Sequence, residues 1–209
     1  MKKFIQHQGV VVPLLSDNID TDQIIPSREM KKVSKVGLGE GLFSGQRYRY
    51  IGKEKDGLNP DFILNKAPFD KATILLSGTN FGCGSSREHA VWALVEFGFR
   101  AIIAESFGTI FRNNCLRNGL LPIVLSAAQI QSIADQIGGD TADTFTLNID
   151  LKERQVSSIK TPNFNFVLED YSQQMLLNGW DFIDLTLKFS QQINQFKEDD
   201  RKLRPWAYL

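Results

Sequence analysis

The stretch Gly78-Thr79-Asn80-Phe81-Gly82-Cys83-Gly84-Ser85-Ser86-Arg87-Glu88-His89-Ala90 gathers most of the groups in this chain that are spaced for chemistry. Two adjacent hydroxyls, Ser85 and Ser86, stand between a run of glycines and an arginine. Gly78, Gly82 and Gly84 free the backbone for dihedral angles that other residues resist, and they keep side chains out of a ligand's path. The planar fork of Arg87 suits the paired oxygens of a carboxylate or phosphate. Glu88 follows Ser85 at the spacing of a capping box, so Ser85 to Glu88 is expected to open a helix. The positive end of that helix and its unpaired amides would share the space of the hydroxyls and of Arg87. The expected chemistry is anion binding.

The elements that must position this loop follow from hydrophobic period. Ala72 to Leu76 is a short, partly β-branched apolar run closed by Ser77-Gly78, and it reads as a buried strand. Beyond the loop, Ala90, Val91, Leu94 and Phe97 fall on one helical face, Gly98 can end the helix, and Arg100 to Ala104 reads as a second strand. A strand, loop, helix, strand unit suggests two familiar nucleotide loops. The phosphate loop of nucleotide hydrolases requires a lysine after its glycines, and none is present. The dinucleotide fingerprint matches only at Gly82 and Gly84, because Arg87 stands where close helix packing needs a third glycine. A glycine-rich turn without a ligand is the plain alternative, against which Ser-Ser-Arg at the helix opening argues.

Earlier in the chain, Gln8 to Leu15 reads as a strand, and Asp17 to Asp22 as a polar turn-forming loop. Its aspartates lack the spacing, glycine and distal glutamate of a calcium loop. From Ser27 to Asp56, eight basic residues face four acids, and Gly37, Gly39, Gly41 and Gly45 leave little regular structure expected after a short helix at 28–36. A mobile basic flap that attracts a dicarboxylate fits this segment, although a solvated charged surface explains any single lysine. Further on, Phe107 to Gly119 has a helical pattern with an Asn-Gly stop, and Leu120 to Leu125 reads as a strand. Ala127 to Ile137 reads as a helix, Phe145 to Ile149, Gln155 to Ile159 and Phe164 to Val167 as strands of a small β layer, and Asp181 to Phe196 as an amphipathic helix before a charged tail.

The 209 residues, 42% of them hydrophobic, suit one globular domain spanning 1–209. Twenty-four basic and twenty-four acidic residues cancel, so no global field favours nucleic acid or an anionic membrane. The N-terminal segment has neither the continuous apolar core nor the cleavage site of an export signal, and Cys83 and Cys115 suggest no disulfide framework, so a cytoplasmic setting is expected. With only His7 and His89 and no ligand spacing around them, a metal site is not expected, and His89 reads as structural or supporting.

The motif Gly84-Ser85-Ser86-Arg87-Glu88-His89-Ala90 resembles the signature of the aconitase superfamily's mobile domain. Together with Asp17-Asn18-Ile19-Asp20-Thr21-Asp22-Gln23-Ile24-Ile25-Pro26 and Gly179-Trp180-Asp181-Phe182-Ile183-Asp184-Leu185-Thr186-Leu187, it makes nearly the whole chain resemble the small-subunit family of bacterial 3-isopropylmalate dehydratases. Periodicity alone supports an α/β class; the resemblance implies a three-layer β/β/α swivelling domain with a partly parallel sheet. It also implies a hydro-lyase of leucine biosynthesis, with Ser85 as catalytic base, and Ser86, Arg87, Gly84 and Arg28 binding a small dicarboxylate. Asp22, His89 and Glu88 would support them. The partner implied is a large subunit carrying a 4Fe-4S cluster, with no cofactor on this chain, since two cysteines are too few to ligate one. A homoaconitase small subunit, a related 2-hydroxy acid dehydratase subunit and a non-catalytic anion-binding module are the competing readings.

Overall fold

The computed structural model describes residues 1–30, 36–85, 87–137 and 145–208. A long first strand, β1 (Gln6–Leu14), leads into a short helix α1 (Thr21–Ile24). A second short helix α2 (Ser44–Arg47) precedes a hairpin of β2 (Tyr48–Ile51) and β3 (Glu54–Leu58). The central unit follows as β4 (Ile74–Ser77), α3 (Glu88–Phe97) and β5 (Ala101–Ala104), continued by α4 (Thr109–Asn118), β6 (Leu121–Val124) and α5 (Ala127–Ala134). The remainder comprises β7 (Thr146–Asp150), β8 (Gln155–Ser157), β9 (Phe164–Asn165) and the helices α6 (Asp170–Asn178), α7 (Phe182–Leu187) and α8 (Ser190–Leu203).

One seven-stranded sheet runs in the order β6-β5-β4-β1-β7-β8-β9. The strand β1 joins its two halves. Val11 to Leu14 pair in parallel with β4, while Gln6 to Val10 pair antiparallel with β7. Side chains alternate across β4, so Leu75 joins Val12, Ile102 and the α3 residues Ala90, Val91 and Leu94 in one core. Ile74 and Leu76 point the other way, to Val11, Ile103 and the inward residues Leu147, Ile149 and Val156 of the antiparallel half. The sheet therefore curls so that its antiparallel half, together with α5 and α6, covers one face of the parallel strands while α3 covers the other, in the expected partly parallel β/β/α arrangement. Each fully covered Ile or Leu of β4 contributes roughly 2 kcal/mol. The strand that feeds the glycine loop is thus gripped from both faces.

Three expectations need correction. The segment from Ser27 to Asp56 is more ordered than its glycines suggested, with 3-10 turns at Ser27–Glu29 and Gly39–Gly41, helix α2 and most of the β2-β3 hairpin. The Glu96 carboxylate explains part of this, accepting the Gly37 and Gly39 amides at 2.6 and 2.8 Å. Burial disfavours its charge, but these amide bonds prevail and hold it below the usual carboxylate range. Lys31, Lys32 and Lys35, with most of the helix expected at 28–36, lie outside the described residues. The amphipathic stretch after Asp181 forms two helices, broken at Lys188 and Phe189. Finally, α6 was not anticipated.

Candidate functional site

The loop that follows β1 is laced to the glycine loop that follows β4. The Thr79 amide donates to the Asp17 carboxylate at 2.8 Å, Asn80 to the Asn18 side chain at 2.8 Å, and Gly82 to the Ile19 carbonyl at 2.7 Å. Asp20 caps α1 in a reciprocal box with Gln23. The aspartates of this loop form turns and caps, and among the described residues no group of carboxylates, histidines or cysteines is gathered for a metal ion. Cys115 is fully buried, which pushes its thiol well above the ordinary range, while Cys83 lies in the loop. These residues do not fit an iron-sulfur cluster.

Two glycines are required by geometry. Gly82 has φ +73°, and a Cβ built on it would lie 2.2 Å from the Phe111 ring. Gly108 approaches so closely that its Cβ would meet the Gly82 carbonyl oxygen at 2.6 Å. Phe81, Phe107 and Phe111 pack beneath as an aromatic cluster. Gly82→Ala combines left-handed strain with overpacking and is expected to lower stability by about 3 kcal/mol in urea unfolding. A loss under about 1 kcal/mol, less than either effect alone would give, would show that the loop yields freely.

Above this floor lies a half-open cavity of about 250 Å³, lined by the loop from Gly82 to Ser85, by Arg87, by Thr21 and by Gly108 to Phe111. The last four residues are the opening of α4. Gly108 supplies no side-chain cap, so the amides of that first turn have no intrahelical acceptor, and the residues that carry them line the cavity. The helix presented to the cavity is therefore α4. The expected capping box does not form: α3 starts at Glu88 with Arg87 at its uncapped N-cap position. Local spacing lost to tertiary partners. Thr21 Oγ1 donates to the Ser85 carbonyl at 2.9 Å, and the Glu88 carboxylate accepts from Asn118 at 2.8 Å.

Ser85 is exposed at the cavity, and its hydroxyl has no hydrogen-bond partner among the described residues. The Arg87 side chain is anchored through one nitrogen, Nη1, which donates to the Asp22 carboxylate and to Ser27 Oγ at 3.2 Å. Ser27 Oγ in turn donates to Asp22 at 3.3 Å. Among the described residues, Nη2 and Nε of Arg87 have no hydrogen-bond partner. Gly84, at φ +84°, provides the turn before Ser85. Ser86 lies outside the described residues. His89 packs on Trp92 at 4.8 Å between ring centroids, and Glu88 ties α3 to α4, so both act behind the cavity wall. Arg28 does not line the cavity; its guanidinium sits 4.3 Å from the centre of the Tyr50 ring, beside Glu29. Sequence reasoning placed Thr21 only within the block from Asp17 to Pro26, without a role of its own, and missed Ser27 and the α4 opening. Only the position of Thr21 and Ser27 around the Asp22 loop hinted at their part in the site.

A second depression of about 280 Å³, on the antiparallel half, is lined by residues such as Phe145, Asn148, Ile159 and Lys160. Among the described residues it has no glycine loop and no convergent hydroxyl and guanidinium. The groups singled out by the sequence converge at the first cavity.

The chain has clear relatives among known proteins. The profile of the aconitase C-terminal domain matches residues 1–128. A 3-isopropylmalate dehydratase small subunit of Cupriavidus necator is 52% identical, with 100% of this chain and 99% of that one covered. Another from Marinobacter nauticus is 44% identical, with 100% and 98% covered. A crystal structure of a 3-isopropylmalate dehydratase chain from Methanocaldococcus jannaschii superposes with a TM-score of 0.63 over 93% of this chain and 99% of the other, at 24% identity, and supports the fold.

Proposed function

Because the chain belongs to the family of 3-isopropylmalate dehydratase small subunits, we propose that it supplies the substrate-gripping half of a hydro-lyase whose active site is completed by a large subunit. The reaction interconverts 2-isopropylmalate and 3-isopropylmalate through 2-isopropylmaleate, a step of leucine biosynthesis. The observation that carries the residue roles is one half-open cavity that brings together the unpartnered Ser85 hydroxyl, two spare Arg87 donors and the amides of α4.

In this reading a substrate carboxylate takes the paired donors of Arg87, in a fork that a point charge cannot reproduce. Asp22 and Ser27 hold that fork in place through Nη1. Ser85 Oγ, in its deprotonated form, takes the proton from the carbon beside the hydroxyl-bearing one while that hydroxyl departs as water on the side closed by the large subunit, and it returns a proton to the other carbon when water is added back the opposite way round. A serine hydroxyl is far too weakly acidic for this in bulk water, and the positive field of Arg87 and the α4 amides is what makes an oxygen base accessible. Ser86 is assigned to substrate binding, Gly84 to leaving room for it, and Asp22, Glu88 and His89 to support, while Arg28, stacked on Tyr50 outside the cavity, is given no contact with the substrate. The 4Fe-4S cluster belongs to the large subunit. A cytoplasmic setting fits this chemistry, and no helix among the described residues is long and apolar enough to cross a membrane.

The test is reconstitution. The purified chain alone should be colourless and silent, and addition of the cluster-bearing large subunit should give turnover of isopropylmalate. Stoichiometric iron and sulfide on the isolated chain, or turnover without the partner, would contradict the division of labour. Preference for a homoaconitase substrate in the same assay would correct the substrate.

A further inference from the structure

The C-terminal helices are exposed out of proportion to their composition. Phe189, Ile193, Phe196 and Leu203 recur along α8 and the residue just before it at the alternating spacing of a coiled-coil seam. Phe189, Phe196 and Leu203 are 56%, 64% and 76% exposed, and the α7 residues Ile183 and Leu187 are exposed as well. A helix of 14 residues is marginal in water on its own. Contiguous apolar exposure of this kind marks a protein contact.

The seam has one polar position, Asp200. Arg204 Nε lies 2.7 Å from its carboxylate and the Tyr208 hydroxyl donates to it at 2.6 Å, which leaves the residue 8% exposed. The arm thus neutralises its own interruption, and a partner can cover the seam without stranding a bare charge.

The root of the arm identifies the partner. The Arg117 guanidinium, in the last turn of α4, lies 5.0 Å from the centre of the Phe182 ring at the start of α7. The first turn of the same helix forms the cavity wall, where Ile110 is 54% exposed. Ile110, Asn113 and Arg117 share one outward face, so about 10 Å of helix surface joins the cavity to the arm. A protein that closes the cavity meets the arm.

We propose that α7 and α8 form a docking arm whose apolar seam is received by a helix-lined apolar groove of the large subunit. This rests on the dehydratase reading for the existence of that subunit. The test uses the full chain with Phe196→Asp and Leu203→Asp together, and a milder pair, Phe196→Ser and Leu203→Ser, for which local unfolding of α8 is less of a concern. Titrated against a fixed amount of large subunit, the Asp variant should need about thirtyfold more chain for half-maximal activity, as hot-spot loss does. Turnover at saturation should equal the parent's, since neither residue touches the cavity. The Ser pair should shift the same way by less. Identical titration curves would overturn the proposal, as would a parent chain that dimerises alone through the seam and loses that on Phe196→Asp. Sedimentation of the mixed chains reads assembly apart from activity. A parent pair that assembles but turns nothing over counts against the dehydratase reading and leaves the arm standing; a parent that does not assemble refutes the arm.

Discussion

Ser85→Ala is expected to lower turnover of the reconstituted enzyme by roughly a hundredfold or more, as loss of a positioned general base does. Substrate binding should change less, because the carboxylate grip lies with Arg87 and the α4 amides. The structure makes this substitution a cleaner test than the sequence did. A capping serine would have taken about 1 kcal/mol of helix stability with it. Ser85 caps nothing, however: α3 begins at Glu88, and Ser85 is held by its backbone carbonyl, which alanine retains, through Thr21 Oγ1. Stability should therefore stay within about 0.5 kcal/mol of the parent, and a thermal melt verifies it. A folded, assembled Ser85→Ala enzyme turning over near the parent rate would show that Ser85 is the wrong base.

What made the central unit legible was a change of period. Four consecutive buried residues in β4, then apolar positions at helical spacing to Gly98, then four buried residues in β5 are signals that a covered parallel sheet imposes on its sequence. Gly98 and Gly119 mark helix ends with positive φ because their missing Cβ permits it. The site was legible only in its residue types. The Ser85 to Glu88 spacing pointed to a box that two distant residues, Thr21 and Asn118, prevent by binding the carbonyl of one and the carboxylate of the other. No local pattern carries such information. The α4 opening was invisible for a related reason. Gly108 looks like an ordinary loop glycine until Gly82 is seen to approach it. The arm misled differently: its apolar residues read as one amphipathic helix, and the break at Lys188 and Phe189 is made where the seam of α8 begins.

Arg87→Lys should reduce kcat/KM by about a hundredfold, the loss of one strong charge-assisted bond and its geometry. The division of labour on the guanidinium explains why the conservative change is severe. Nη1 is committed to Asp22 and Ser27, and the paired donors for substrate are the remaining ones. A lysine has a single nitrogen, which must either follow Asp22 or turn to the carboxylate. The fold should survive, since the Arg87 and Asp22 side chains are both partly exposed and such pairs are worth about 1 kcal/mol or less. Asp22→Asn tests the other half. An amide still accepts from Nη1 but loses the charge attraction, so its effect should be smaller, about tenfold. If Asp22 acts by holding the fork, the double variant should be no worse than Arg87→Lys alone, because a fork that is absent cannot be misplaced. Unchanged kcat/KM in Arg87→Lys would remove the arginine from the site, and additive losses in the double variant would give Asp22 a separate role, facing the substrate itself.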